Sequence, residues 1–111
     1  MLFRSANEHI YKVPVANPDS ASEVKVNEPV PGQDGAVWAA DGHLVVISNS
    51  ADAPKAVALT SSDDWATASR VAAATLVGQA TTAAAVGKDI WAVHPHFNDA
   101  DPPSLEQAVF Q

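Results

Sequence analysis

Short apolar runs separated by turn-forming residues recur along the whole chain, and their pattern predicts β-strands. Residues 8–15 alternate between two faces, with Ile10 and Lys12 on one side and Tyr11 on the other. Residues 22–27 form a second short candidate strand before a Pro-Val-Pro-Gly connector that no regular element can cross. The first part of the chain therefore predicts two strands rather than a helix.

The middle of the chain carries the clearest strand signals. A first strand is expected at residues 35–40, and an Asp-Gly turn leads from it into residues 43–49, a nearly continuous apolar run. Such a run is typical of a strand that is covered on both faces. Two further strands are expected at residues 55–60 and 69–77.

The alanine-rich segment that follows Asp63 and Asp64 has a second interpretation. The two carboxylates could cap a helix from Trp65 to Leu76, because alanine has the highest helix propensity. The register of the strand pattern instead favours a strand, and the β-branched residues of this segment suit one. Both interpretations stay open at this point, with the strand preferred.

The same order of strands then begins again. Strands are expected at residues 81–86 and 90–93 and, after a Pro-containing loop, at residues 105–110. Thr81 stands 47 positions after Asp34, at the corresponding point of the pattern. A period in the forties with about four short strands per unit is typical of β-propeller blades.

The repeat predicts an all-β protein that is too short to close a propeller. About ten short strands would make roughly two and a half four-stranded antiparallel blades. At 111 residues the chain has room for one domain. That domain, residues 1–111, is expected to contain blade-like units at roughly 2–30, 34–78 and 81–111.

Composition and charge narrow the classes of function. Apolar residues make up 47% and charged residues 17%, as in ordinary globular proteins. The formal net charge of -7 argues against nucleic acid as a partner. The lack of cysteine excludes disulfides, thiolate metal sites and a cysteine nucleophile. No signal-peptide-like start and no long apolar run is found, so no membrane contact and a cytoplasmic location are the default expectations.

Two histidines near the end of a predicted strand form a candidate metal site. His94 and His96 are two positions apart and would point to the same side of a strand, where their imidazoles could bind zinc or nickel. Asp99 and Asp101 follow as candidate oxygen ligands. The alternative, which is preferred, is a structural or solvent-exposed pair without a third fixed ligand.

The tryptophans and the small polar residues after the strongest strand have structural interpretations. Trp38 and Trp91 are expected to pack in the core, whereas Trp65 follows a turn and is a candidate interface residue. Ser48 and Asn49 end the strongest strand, where they would make a turn or line a ligand mouth. No Gly-rich phosphate loop or nucleophile elbow is found in the sequence.

Two short motifs resemble a known family. The segment at residues 31–46, Pro-Gly-Gln-Asp-Gly-Ala-Val-Trp-Ala-Ala-Asp-Gly-His-Leu-Val-Val, resembles the propeller motif in which Pro-Asp-Gly opens an inner strand and Asp/Glu-Gly turns into the next. Thr81 and Thr82 match the start of the following inner strand. Together these motifs resemble the C-terminal half of the senescence-marker-protein/gluconolactonase family, six-bladed propellers that include sugar lactonases. The resemblance covers most of the chain.

The resemblance implies a role for Asp34. In that family a Glu, two Asn and an Asp hold one divalent metal, commonly calcium or zinc, which polarises the lactone carbonyl and orients water. Asp34 stands where the family has its Asp, as a metal ligand and proposed base, whereas the Glu and both Asn would precede this sequence. The simpler interpretation is that the Asp34 carboxylate caps the Asp-Gly bend. With one ligand of four, no lactonase activity is expected of a monomer.

An incomplete propeller would leave apolar faces and open strand edges, which favour association. The sequence therefore predicts a homo-oligomer, most simply a dimer, whose copies pair head to tail into a ring or stack face to face. The preferred function is that of a non-enzymatic structural or interaction protein. The alternative is a metal-dependent lactonase-like hydrolase whose site forms only if an oligomer brings several Asp34 carboxylates together. No small-molecule ligand can be named.

Overall fold

The chain folds as an all-β protein, with ten short strands within the residues that the structure describes. A computed structural model describes residues 2–6, 9–50, 52–96 and 100–111. In these ranges the helical structure is a single 3-10 turn at Pro18–Ser20, and no helix is long and apolar enough to cross a membrane. In chain order the strands are β1 (Leu2–Ala6), β2 (His9–Val13), β3 (Ser22–Val26), β4 (Gln33–Trp38), β5 (Leu44–Ser48), β6 (Lys55–Thr60), β7 (Thr67–Thr75), β8 (Thr82–Val86), β9 (Asp89–His94) and β10 (Ser104–Ala108).

The all-β prediction is confirmed, and the strands follow the sequence pattern closely. Each strand for which bounds were predicted begins and ends within about two residues of them. The alanine-rich segment is strand β7, so the helix interpretation from Trp65 to Leu76 is wrong. Strand β7 pairs with β6 along nearly its whole length, and this pairing overrides the helix propensity of alanine.

The strands form two hydrogen-bonded sheets, with the orders β1-β2-β3-β7-β6-β5-β4 and β10-β9-β8. Neighbouring strands are antiparallel except β3 and β7, which join in parallel through Lys25 with Thr67 and Val26 with Ala68. This short junction divides the larger sheet into a first sheet, β1–β3, and a central sheet, β4–β7; β8–β10 form the last sheet. Because β1 contacts β4 and β4 contacts β8, the three sheets stack with these strands along one edge.

The central sheet has a hydrophobic core on each of its faces. All five residues of β5 are buried, and the four apolar ones alternate between the two cores. Leu44 and Val46 point toward the first sheet, where they pack with Leu59, among others. Val45 and Ile47 point toward the last sheet, into a cluster rich in alanine. The predicted burial of this strand on both faces is thereby confirmed.

The turn between β6 and β7 is held by side-chain hydrogen bonds. Asp64 and Trp65 have φ values of 56° and 65°, in the left-handed region that residues other than glycine rarely adopt. The Asp63 carboxylate accepts bonds from the Thr67 hydroxyl at 2.6 Å and the Thr67 backbone N–H at 3.0 Å, and Ser61 Oγ accepts one from the Trp65 backbone N–H at 2.9 Å. Hydrogen bonds from Thr67, and then from Ser61, lower the pKa of Asp63 to about 2.

The positions of the tryptophans contradict the prediction that Trp38 and Trp91 pack in the core. Trp38 ends β4 and is 43% exposed, with its ring edge-on to Trp65 at a centroid separation of 5.4 Å. Trp91 lies on the outward face of β9, because its neighbours Ile90 and Ala92 point into the core. Trp38 and Trp91 are therefore not core residues, and Trp65 instead packs against the core between the first and central sheets.

Replacing Asp63 with Asn should reduce the acid sensitivity of the fold. A carboxyl whose pKa falls from 3.8 to about 2 on folding stabilises the protein above pH 3.8, and this contribution is lost as the pH falls through about 2. Thermal melting at pH 5 and pH 2 should show a larger drop in Tm for the wild type than for Asp63→Asn. As a control, Asp64→Asn, whose side chain is 83% exposed, should keep the drop of the wild type.

Candidate functional site

Asp34 lies at an irregular position of the central sheet. The pairing of β4 with β5 shifts register between Gln33 and Ala36, so that Asp34 and Gly35 lie in a bulge. Asn49, directly after β5, donates from Nδ2 to Asp34 Oδ2 at 3.4 Å. The Asn49 Oδ1 atom is buried and has no hydrogen-bond partner among the described residues. The bulge thus brings one exposed carboxylate and one amide together at the end of the stack.

A row of hydrogen bonds continues from this point into the last sheet. Gln79 donates from Nε2 to the Asn49 backbone carbonyl at 3.0 Å. The Gln79 carbonyl faces His94 Nδ1 at 3.4 Å, and His94 Nε2 is 2.7 Å from Glu106 Oε1. We call Asp34, Asn49, Gln79, His94 and Glu106 the polar row. It ties the central sheet to the last sheet at one end of the stack.

His94 is held on both sides of its ring. It is 4% exposed, with the Glu106 carboxylate at one ring nitrogen and a backbone carbonyl at the other. The Glu106 oxygens also accept from the Val77 backbone N–H at 3.1 and 3.2 Å. A buried imidazole and a loop amide are thereby satisfied by one carboxylate, which is the arrangement of a structural pair.

The two histidines of the predicted metal site have separate partners. His94 pairs with Glu106, whereas His96 Nε2 lies 3.1 Å from Ser104 Oγ, and the ring centroids are 6.1 Å apart. Asp99 lies outside the described residues. Within the described part of the chain, no group of three or more His, Asp or Glu side chains could hold a metal ion.

The metal that the family resemblance implies does not fit the residues around Asp34. Calcium takes roughly six to eight oxygen ligands. The contact at the bulge offers the carboxylate of Asp34 beside the amide of Asn49, and the amide nitrogen rather than its oxygen faces the carboxylate. One chain therefore presents too few oxygen ligands here, and we derive no chemical step through a metal.

A small cleft opens beside the bulge, where β2, β3 and the connector after β3 approach Gln33. Its volume is about 240 Å³, and its floor is formed by Ile10, Val24 and Val30. His9 and Glu23 stand at its rim. Sites for small molecules usually measure roughly 300 to 1,000 Å³ and carry converging polar groups. This cleft is smaller than that range, and its floor is apolar.

The outward face of the last sheet is apolar and exposed. Val86, Leu105 and Val109 are 63%, 65% and 64% exposed, and Trp91 and Val93 lie between them on β9. Among the outward positions of β8, β9 and β10, Asp89 carries a charge; it begins β9, opposite Val86 and next to the turn between β8 and β9. We call this surface the last face: Thr82, Ala84, Val86, Trp91, Val93, Leu105, Gln107 and Val109.

Sequence reasoning did not single out the contacts of Asn49, Gln79 and Glu106. Glu106 did carry a signal, because strand alternation puts it on the same side as Ala108, which faces the core. A charged residue at such a position needs a buried partner, and His94 provides it. Gln79 lies outside any strand, so no periodicity could have placed it.

No protein-family model matches this chain, and neither a curated protein nor a solved structure is significantly similar to it.

Gly35 is required by the close approach of β4 to β8. Its backbone N–H donates to the Thr81 carbonyl at 2.7 Å, and a Cβ at this position would lie 2.6 Å from Thr82 Cβ and 2.7 Å from Thr82 Cα. Gly35→Ala should therefore force the two strands apart and cost about 1–3 kcal/mol of unfolding free energy. Denaturant unfolding at a fixed protein concentration measures this loss.

Gly78→Ala is the matched control for this substitution. Its Cβ would meet only His94 Nδ1 at 3.9 Å, an ordinary contact, so its stability should stay close to that of the wild type or rise slightly. Equal stabilities for the two alanine variants would contradict the close approach of β4 to β8.

Proposed function

We propose that this chain is a non-enzymatic interaction protein, a partial β-propeller that associates with itself through the last face. The observation that carries the proposal is the exposed apolar surface of β8–β10. An exposed apolar patch of a few hundred Å² is often functional, and a covering partner removes it from water. Burying one Leu or Val side chain contributes about 1.5–3 kcal/mol.

The arrangement of the sheets supports the propeller part of the proposal. The central sheet is a four-stranded antiparallel meander, as expected for one blade. Three-stranded sheets lie on either side of it, and β4 and β8, the first strands of successive units, lie in contact. The proposed origin of this architecture is a fragment related to the senescence-marker-protein/gluconolactonase family.

The open edges of the end sheets also favour association. Within the described part of the chain, β10 ends the last sheet and β1 ends the larger sheet, so each of them pairs with a neighbouring strand on one side only. Unpaired strand edges and uncovered faces act together as association surfaces. A dimer is the simplest assembly that covers the last face of each copy.

Leu105→Glu should convert the oligomer into a monomer. The substitution places a charge on the last face beside Val93, where association would bury it without a partner. Absolute mass by light scattering on a size-exclusion column should give a dimer for the wild type and a monomer for the variant. Val15→Glu is the matched control, because Val15 is 64% exposed but follows β2 at the other side of the stack; it should remain dimeric. A wild type that is monomeric at every concentration would refute the proposed function.

A metal-dependent lactonase-like hydrolase is the second candidate, and one contact favours it. Asn49 lies beside Asp34, and Asp and Asn are residue types that hold the metal in the family this sequence resembles. The candidate remains the weaker one, because a single chain gathers too few ligands and an oligomer would have to supply the others.

Metal addition separates the two candidates. We expect neither calcium nor zinc to raise the Tm of the wild type, since the described residues gather no metal-binding cluster around Asp34. Thermal melting with and without each ion, and with a chelator, measures this. A rise in Tm that Asp34→Asn abolishes, and that the exposed control Asp19→Asn retains, would instead support the hydrolase.

A further inference from the structure

We propose that two copies associate face to face about a two-fold axis, each contributing its last face, rather than head to tail. This inference rests on the self-association proposed above and names the surfaces that meet. Face-to-face pairing is isologous and closes after two copies, whereas head-to-tail pairing would bring the last face of one copy onto the first sheet of the next. The chemistry of the two end sheets distinguishes these arrangements.

The last face is suited to meet a copy of itself. Its central strand presents Trp91 and Val93, flanked by Val86 on β8 and Leu105 on β10. Its other members are small or uncharged polar residues, and Asp89, the charged residue on the same side of the sheet, lies at the end of β9 rather than at its centre. A formal net charge of -7 makes two copies repel each other, and contact through a surface with one charge at its edge limits this repulsion.

The outward face of the first sheet does not suit the last face. On β2 and β3 the outward positions include His9, Glu23 and Lys25, because Ile10 and Val24 point inward. His9 Nδ1 lies 2.7 Å from Glu23 Oε1, and the two side chains are 52% and 42% exposed. Head-to-tail pairing would remove these polar groups from water against an apolar surface, which costs desolvation free energy that no new partner offsets.

The size of the last face indicates a reversible dimer. Three strands about 4.8 Å apart, with some six residues at about 3.4 Å each, give a flat area of roughly 300 Å² per copy. Side chains make the accessible surface larger than this flat area. Even twice the flat area is below the roughly 800 Å² that each partner buries in a standard stable interface. Association is therefore expected to depend on protein concentration.

Spin labels on single cysteines test the orientation, because the chain contains no cysteine of its own. Lys88→Cys labels the turn between β8 and β9 in the last sheet, and Lys25→Cys labels the outward side of β3 in the first sheet; both residues are exposed. Each variant is examined by pulsed dipolar spectroscopy at concentrations where light scattering gives the mass of the oligomer.

Packed sheets lie about 10 Å apart, so each arrangement has its own pair of distances. Face-to-face pairing through the last sheets puts the two last sheets about 10 Å apart and the two first sheets about 50 Å apart. The distance between labels at Lys88 should then be several-fold shorter than the distance between labels at Lys25. In head-to-tail pairing, each sheet of one copy lies three sheet spacings from the same sheet of the other copy. The distance between the two labels should then be about 30 Å for both variants.

Each outcome decides the inference. A short distance at Lys88 with a long one at Lys25 supports it. Similar distances at both positions, or the reverse order, overturn the face-to-face arrangement while leaving self-association intact. A monomer mass for both labelled variants and for the wild type overturns the proposed function together with this inference. A third result also supports the face-to-face arrangement: the wild type and the labelled Lys25→Cys variant are dimeric, whereas the labelled Lys88→Cys variant is monomeric because its label lies at the interface.

Discussion

Burial of β5 on both faces is the constraint on which the rest of the structure depends. A strand whose five residues are all buried cannot lie at a surface, so the central sheet needs a cover on each side. The first sheet covers Leu44 and Val46, and the last sheet covers Val45 and Ile47. Because each fully buried side chain of this type contributes about 1.5–3 kcal/mol, loss of either cover would remove a large part of the stability.

The first and last sheets cover the central sheet, and each of them has an outward face of its own. These two outward faces differ in composition. The first sheet turns charged and polar side chains outward, with His9 and Glu23 in contact. The last sheet turns Trp91, Val93 and Leu105 outward instead. One outer face of the stack is therefore polar, whereas the other is largely apolar and exposed. This asymmetry makes the last face, rather than the small cleft or the polar row, the feature with the most direct functional consequence.

Much of the fold could be predicted from the sequence, because strand alternation and turn residues are local signals. The continuous apolar run of β5 predicted its burial on both faces, and the paired β6 and β7 resolved the helix alternative for the alanine-rich segment. The contacts of Asn49 and Gln79 were not predictable, because both residues lie outside the strands and periodicity cannot place them, whereas strand alternation did give a signal for Glu106. Trp38 and Trp91 were predicted to pack in the core because they fall at comparable positions of successive repeat units, but the position of Trp38 at the end of β4 leaves it exposed.

The face-to-face dimer and the metal-dependent hydrolase require very different distances between the Asp34 carboxylates of the two copies. An assembled metal site needs several Asp34 carboxylates within about 2.6 Å of one ion. In a dimer joined through the last faces, the two central sheets are three sheet spacings apart, about 30 Å, and Asp34 belongs to the central sheet. The apolar surface that favours association thus keeps the two carboxylates apart. In the proposed dimer Asp34 would stay in the bulge beside Asn49, and the two copies would meet at their last faces rather than at a metal centre.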